Sequence, residues 1–297
     1  MRQTSGIATS LALILVAAPA GLASDWLQWR GPELNGSADD EKNLPVSFSR
    51  TENLAWAAPL PGPAGSTPIV VGDRIFLTSR NRRGTSLLAM CLSATDGAVL
   101  WSKILSKGKP GPGEAIVSCS PASDGKTVFF LFGPGDLAAV GLDGRLLWTR
   151  RLAVDYGPFA LRPGGSGAIA HDAFAWQWTG PAPDVWTPLL YRGSLYVLSG
   201  DMRGKFMTCL DPKTGKVKWS SKFAATGFWR ASPTGADGKI SCLSEGGDYV
   251  VLAAGDKFEE LFRCSLKSAQ CRSTVVVANG SILIRTASEL LCVRKTK

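Results

Sequence analysis

Histidine is nearly missing from this sequence: His171 is the only one in 297 residues. That excludes a metal site built on several imidazoles and leaves a single candidate for a nucleophile–histidine–acid relay. Its neighbour Asp172 is adjacent in the chain, so on an extended strand the two side chains point to opposite faces. His171 therefore reads as a structural or surface residue. No C-x-x-C pair, no two adjacent cysteines and no G-x-S-x-G segment occur, which removes zinc-ribbon, thioredoxin-type and α/β-hydrolase readings. Charge is sparse at 19%, against 45% hydrophobic residues, a balance that supports a packed core and excludes a disordered chain. Beyond the first 23 residues no stretch is long and apolar enough to cross a bilayer, which takes about 20 apolar residues.

Those first 23 residues have the form of a secretory signal. Arg2 supplies the positive end, residues 7–18 are apolar apart from Thr9 and Ser10, Pro19 breaks the run, and Gly21-Leu22-Ala23 offers a cleavage site. The mature protein is expected outside the cytoplasm, periplasmic or secreted, and not membrane-spanning. Losing Arg2 takes the formal charge from +9 to +8. The basic residues are spread through turns and strand ends; the local clusters, Arg80-Asn81-Arg82-Arg83 and Arg294-Lys295, sit on no nucleic-acid module. A solvated surface is the reading, with no nucleic-acid partner.

What is abundant is turn chemistry: 33 glycines and 18 prolines, as many short strands require. The turns fall in a repeat. A-T-D-G-A-V-L-W (94–101) recurs as G-L-D-G-R-L-L-W (141–148) and P-K-T-G-K-V-K-W (212–219). Asn53-Leu54-Ala55-Trp56 matches its Trp end, and Phe258 to Phe262 looks like a copy that lost its Trp. Ahead of each unit stands a hairpin sequence, as in S-T-P-I-V-V-G-D-R-I-F-L-T-S (66–79) and T-P-L-L-Y-R-G-S-L-Y-V-L-S (187–199). Two hairpins make a four-stranded antiparallel blade, which buries its faces only by stacking on its neighbours. The pattern predicts an all-β propeller of five clear blades, with a sixth allowed, and with Trp56, Trp101, Trp148 and Trp219 as wedges between sheets. Residues 274–293 supply three strands without a Trp unit, and Trp56 supplies the unit without its hairpin. Pairing the two closes the ring.

Successive Trp positions lie 45 and 47 residues apart, then 71 from Trp148 to Trp219. The surplus falls in 153–185, a loop or an eroded blade, with Tyr156, Phe159, Phe174, Trp176 and Trp178. Loops that interrupt a scaffold carry function, so Tyr156, Phe159, Trp176 and Trp178 form a candidate interaction loop; the competing reading is a decayed blade covering a gap. Four cysteines, Cys91, Cys209, Cys242 and Cys292, occupy one repeated place and read as buried small apolar residues. Cys264 and Cys271 flank a turn and are open to a bridge; Cys119 has no obvious partner.

The A-x-D-x-x-T-G-x-x-x-W unit, closest at Asp211-Pro212-Lys213-Thr214-Gly215, resembles the PQQ-like β-propeller repeat family. The segment Asp25-Trp26-Leu27-Gln28-Trp29-Arg30-Gly31-Pro32 looks like the D-W-x-Q-W-R-G-P opening of a bacterial secreted subgroup of it. The resemblance covers nearly all of the chain after residue 23 except 153–185. Catalytic members of the family use a calcium-bound pyrroloquinoline quinone stacked on a Trp and capped by a disulfide between adjacent cysteines, with an Asp base. The adjacent pair is absent here and no acidic cluster stands out as a calcium cage, so neither quinone nor calcium is expected. Gly111, Gly113, Gly133 and Gly135 are turn glycines with no following helix to cradle a phosphate. A carbohydrate-active enzyme would need two facing carboxylates, and Glu114, Asp155, Asp172, Asp184 and Glu245 are placed only by their position in loops. The expectation is a monomeric, non-catalytic binding or assembly scaffold whose partner is another protein or a polysaccharide; a quinone oxidoreductase or carbohydrate-active enzyme is the alternative. Exported protein is expected to lack residues 1–23, which intact-mass measurement and N-terminal sequencing check directly; an intact Met1 would refute it.

Overall fold

The computed structural model describes residues 25–108, 117, 119–133, 135–151, 176, 178, 180, 187–201, 204–268 and 270–295. All regular elements among them are strands. β1 (Ser37–Ala38) and β2 (Leu54–Pro59) come first. Blade 1 is β3 (Ile69–Val71), β4 (Arg74–Arg80), β5 (Ser86–Ser93) and β6 (Val99–Lys107). Blade 2 is β7 (Ala122–Ser123), β8 (Thr127–Leu131), β9 (Asp136–Gly141) and β10 (Leu146–Arg151). Blade 3 is β11 (Leu189–Tyr191), β12 (Ser194–Asp201), β13 (Gly204–Leu210) and β14 (Val217–Lys222). Blade 4 is β15 (Thr234–Ala236), β16 (Lys239–Leu243), β17 (Asp248–Ala253) and β18 (Glu260–Ser265). Blade 5 joins β19 (Val276–Ala278), β20 (Ser281–Arg285) and β21 (Glu289–Val293) to β2, so strands from the two ends of the chain complete one sheet. Trp56 lies opposite Cys292 in that closure. The architecture is the β-propeller that the repeat predicts.

Burial falls from the inner strand outward. β3, β15 and β19 are buried throughout, while β6, β14 and β18 alternate between exposed and half-buried. Between them, successive residues face opposite neighbours, as the pleat requires. Ile69, Val71 and Phe76 pack with Val128, Phe130 and Val140 of blade 2. Val70, Ile75 and Leu77 join Val276, Leu283 and Leu291 of blade 5. Blade 3 packs on blade 4 through Tyr196, Leu198 and Met207 against Ile240, Val250 and Leu252. The blades therefore follow one another in chain order from 3 through 4 and 5 to 1 and 2.

Two kinds of latch hold neighbouring blades. At the rim, the Trp of one blade donates its indole N–H to a turn carbonyl of the next. Trp56 reaches Ala94 (3.2 Å), Trp101 reaches Leu142 (3.1 Å) and Trp219 reaches Gly255 (2.9 Å). The ring lies flat on a turn glycine: a Cβ at Gly97 would come within 2.6 Å of Trp56, and one at Gly144 within 2.9 Å of Trp101. Both glycines also have positive φ, so this place excludes other residues twice over. The Gly and the Trp of one repeat thus serve different junctions. The Asp of the repeat shapes the same turn: Asp211 Oδ1 accepts from the backbone of Lys213 and Thr214, each at 2.9 Å. Near the inner strands, a Ser or Thr forms the second latch. The backbone N–H of Thr67 donates to Ser120 Oγ (2.9 Å), that of Thr187 to Ser232 Oγ (3.0 Å) and that of Thr274 to Thr67 Oγ1 (3.1 Å).

Three places depart from the sequence expectation. Trp148 is no wedge of the same kind: it is 41% exposed, and its ring meets Phe129 of its own blade at a tilt of 47°, with centroids 6.1 Å apart. Trp176 makes the rim latch onto blade 3 instead, donating to Pro212 O (2.9 Å) over Gly215. Cys91, Cys209 and Cys292 do share one place, opposite Trp101, Trp219 and Trp56. Cys242, however, lies on the second strand of blade 4, opposite Val250; its Ser-Cys-Leu triplet imitates the third-strand sequence because both are short buried apolar runs. Cys264 and Cys271 are both free thiols.

Trp101→Ala is expected to cost about 3–5 kcal/mol, as for a large aromatic packed between two blades, and Trp148→Ala about 1 kcal/mol or less, as for a surface change. Urea unfolding of the two variants measures the difference; equal losses would show that Trp148 is also a wedge.

Candidate functional site

A Ser or Thr stands two residues before each inner strand, and four of these surround one opening. Thr67, Ser120, Ser232 and Thr274 line a cavity of about 390 Å³ together with Trp29, Cys119, Arg230 and Arg272. The hydroxyls are already engaged in the inner latches, so they form a fixed polar ring. Trp29 donates its indole N–H to Thr274 Oγ1 (3.2 Å), which leaves its ring at the mouth, 40% exposed. The Arg30 guanidinium lies 5.8 Å from that ring on its other side.

Two loops bring the arginines to the mouth. Glu245 sits in the β16–β17 turn, and its backbone N–H donates to Phe228 O (2.8 Å) while its carbonyl accepts from Cys271 N (3.0 Å). The turn therefore grips the β14–β15 loop on one side and the β18–β19 loop on the other. Trp229, fully buried and stacked on Phe223 at 4.5 Å, anchors the first loop. Arg272 donates its Nε to Glu245 Oε1 (2.7 Å), and Arg230 Nε stands 3.9 Å from Glu245 Oε2. Two cations thus share this carboxylate. Burial pushes the Cys119 thiol up, so at neutral pH it stays protonated and is a poor nucleophile.

A fully buried arginine lies beside the ring. Arg285 of β20 bridges blades 5 and 1, donating to Ser66 O (3.1 Å), Ser66 Oγ (2.8 Å) and Thr78 O (2.7 Å). Desolvation brings it down to about 9, which still leaves it charged at neutral pH. Carbonyl dipoles, not a carboxylate, offset its burial. At the opposite ends of the inner strands, a second cavity of about 700 Å³ lies between blades 5 and 1, where Asp25, Asp73, Asn279 and Arg294 meet apolar Val70 and Leu283.

Of the residues singled out in the sequence, Glu245 alone among the candidate carboxylates is described, and it is paired with arginines. Glu114, Asp155, Asp172, Asp184, His171, Tyr156, Phe159 and Phe174 lie outside the described residues. Trp176 and Trp178 are half-buried, Trp176 in the rim latch. Among the described residues no group of three or more His, Cys, Asp or Glu is placed to hold a metal. Sequence reading passed over Arg230 and Arg272 because they fall outside the repeat, in loops of unlike sequence.

The family model described as outer membrane protein assembly factor BamB matches residues 38–157. A polyvinylalcohol dehydrogenase of Sphingopyxis sp. (strain 113P3) is 30% identical over 213 residues, covering 67% of this chain and 28% of its own length. The chain thus spans under a third of that relative. BamB from Moraxella catarrhalis is 17% identical over 80% of this chain and 75% of its own, with a TM-score of 0.28. Myxococcus xanthus glutaminyl cyclase is 14% identical over 81% and 94%, with a TM-score of 0.36. Neither structural likeness bears on function.

With its pKa raised, Cys119 is expected to react with iodoacetamide at pH 8 more slowly than a free thiol, and to speed up as the pH rises further. Peptide mapping of alkylated protein reads the rate; reaction as fast as a free thiol would refute the buried environment.

Proposed function

We propose, for a chain that belongs to the PQQ-like β-propeller repeat family, a binding role without catalysis, exercised outside the cytoplasm at the mouth of the propeller. The observation that carries this reading is the pairing of Glu245 with both Arg230 and Arg272. It leaves a polar recess with two guanidinium groups and one exposed aromatic, Trp29, and the carboxylate of Glu245 is already bonded to arginine. Trp and Arg at the centre of a recess are the residues that dominate binding surfaces. The partner that fits is a protein presenting acidic side chains, since Arg forms forked bonds with carboxylates. The assembly-factor description of the family model agrees with such a role. No helix among the described residues is long and apolar enough to cross a membrane.

The dehydrogenase relative makes a calcium-bound quinone the rival. The residues at the mouth do not fit that group. Its only carboxylate among the lining and adjacent described residues is Glu245, held by two arginines, whereas calcium takes six to eight oxygen ligands. Behind the mouth the chain's own residues 26–38 bond to inner strands of blades 1, 2 and 4. A two-carboxylate glycosidase is likewise unsupported by Glu245, whose oxygens are already bonded.

A fluorescent polyglutamate peptide is expected to bind the protein, and the Arg230→Ala/Arg272→Ala double variant to bind it at least about tenfold more weakly. Affinity should also fall with added salt, as electrostatic steering does. Anisotropy titration measures both. Equal binding by the variant, or a quinone chromophore that survives gel filtration in calcium buffer, would overturn the reading. Preference for an acidic polysaccharide such as alginate would reassign the partner to carbohydrate.

A further inference from the structure

We infer that the axis of this propeller is a peptide-binding channel and that residues 25–41 of the same chain are its resident ligand. This inference is independent of what the mouth binds. Each blade ends inward on an edge strand, whose unpaired N–H and C=O groups are a template for another strand. Residues 25–41 use those edges in turn. Trp26 exchanges both backbone bonds with Val70 of blade 1, at 3.0 and 2.9 Å. Leu27 O accepts from Ser123 N of blade 2 (2.8 Å), and Gly36 O accepts from Gly235 N of blade 4 (3.0 Å). Ser37 and Ala38 then run parallel to Gly235 and Ala236 as an added strand. Arg30 Nη2 donates to Pro188 O at the start of blade 3 (3.1 Å), and Trp29 reaches Thr274 of blade 5. The far end is pinned by Glu41, whose two carboxylate oxygens accept from Asn279 N (2.7 Å) and Gly280 N (2.8 Å) of blade 5.

One short segment thus bonds to all five blades, through its main chain to blades 1, 2 and 4, as peptides add to sheet edges, and through side chains to blades 3 and 5. Its side chains give the selectivity. Trp26 is fully buried, and its ring lies where a Cβ on Gly31 would stand, 2.7 Å away. The Arg30 guanidinium fills the same place on Gly36. Arg30 is buried with no carboxylate; carbonyls of Asn35 and Pro188 accept from it, and burial brings its pKa down to about 10. The ligand class is therefore a peptide with Trp, Arg and Gly in the spacing W-x-x-x-R-G, folded back on itself by bonds from Gly31 N to Gln28 O and from Gly36 N to Arg30 O.

The test turns the cis ligand into a trans one. The exposed turn at residues 49–52 lies between the segment and β2, so a specific protease site placed there cuts the folded full-length protein without touching either. After cleavage the N-terminal fragment is expected to co-elute with the propeller on gel filtration and to exchange with a labelled synthetic peptide of residues 25–41. In the same cleaved protein, Trp26→Ala or Arg30→Ala should speed fragment release at least about tenfold, as for hot-spot side chains. Glu41→Gln, which retains one amide-accepting oxygen, should have a smaller effect. Immediate loss of the wild-type fragment would overturn the inference. So would fragment retention that is unchanged by Trp26→Ala and Arg30→Ala.

Discussion

Everything in this molecule depends on the need of each blade to cover both its faces. A four-stranded sheet whose middle strands are apolar on both sides is not stable in water; Ile69 and Val70, one residue apart, must each find a different neighbouring blade. The rim latch answers that need. A tryptophan spreads a wide apolar area over the next blade while its N–H satisfies a turn carbonyl, and the glycine beneath it lets the ring lie against bare backbone. Because the latches of Trp56, Trp101 and Trp219 each join one blade to the next, the repeat is both the unit of the fold and a connector between units.

The same logic explains the junction between blades 2 and 3. Trp148 stands at the rim of blade 2 with its ring 41% exposed, and Trp176 stands on the glycine of blade 3. The two halves of one latch are present but belong to different tryptophans, 28 residues apart in the chain. At the other four junctions the hydroxyl latches, the shared cores or the chain-end closure are complete.

Inside the ring the constraint is different. Inner strands of two or three residues leave main-chain groups facing the axis, and residues 26–38 bond to those of blades 1, 2 and 4. The consequence for function is a division of space. The axis is taken by the protein itself, the mouth above it keeps Trp29 and two arginines at the surface, and the cationic interior residues Arg30 and Arg285 are held by carbonyls that the inner strands and their approaches provide.

The fold was largely legible in the sequence, because a propeller is written as a period: the Trp spacing, the turn glycines and the incomplete units at the two ends name the blades and their closure. The individual roles were less so. Trp101 and Trp148 end almost identical repeats, yet one is a wedge and the other is exposed, since burial depends on whether another blade follows in space. Cys242 copies the local sequence of Cys91 but sits on a different strand. Arg230, Arg272 and Glu245 are remote in sequence and have no repeat to mark them. By itself the sequence determined an all-β ring of short strands, through local turn chemistry and alternation. Only the tertiary structure decided which edges meet at the axis and which charges converge at its mouth, because those contacts join residues from blades that are neighbours only once the ring has closed.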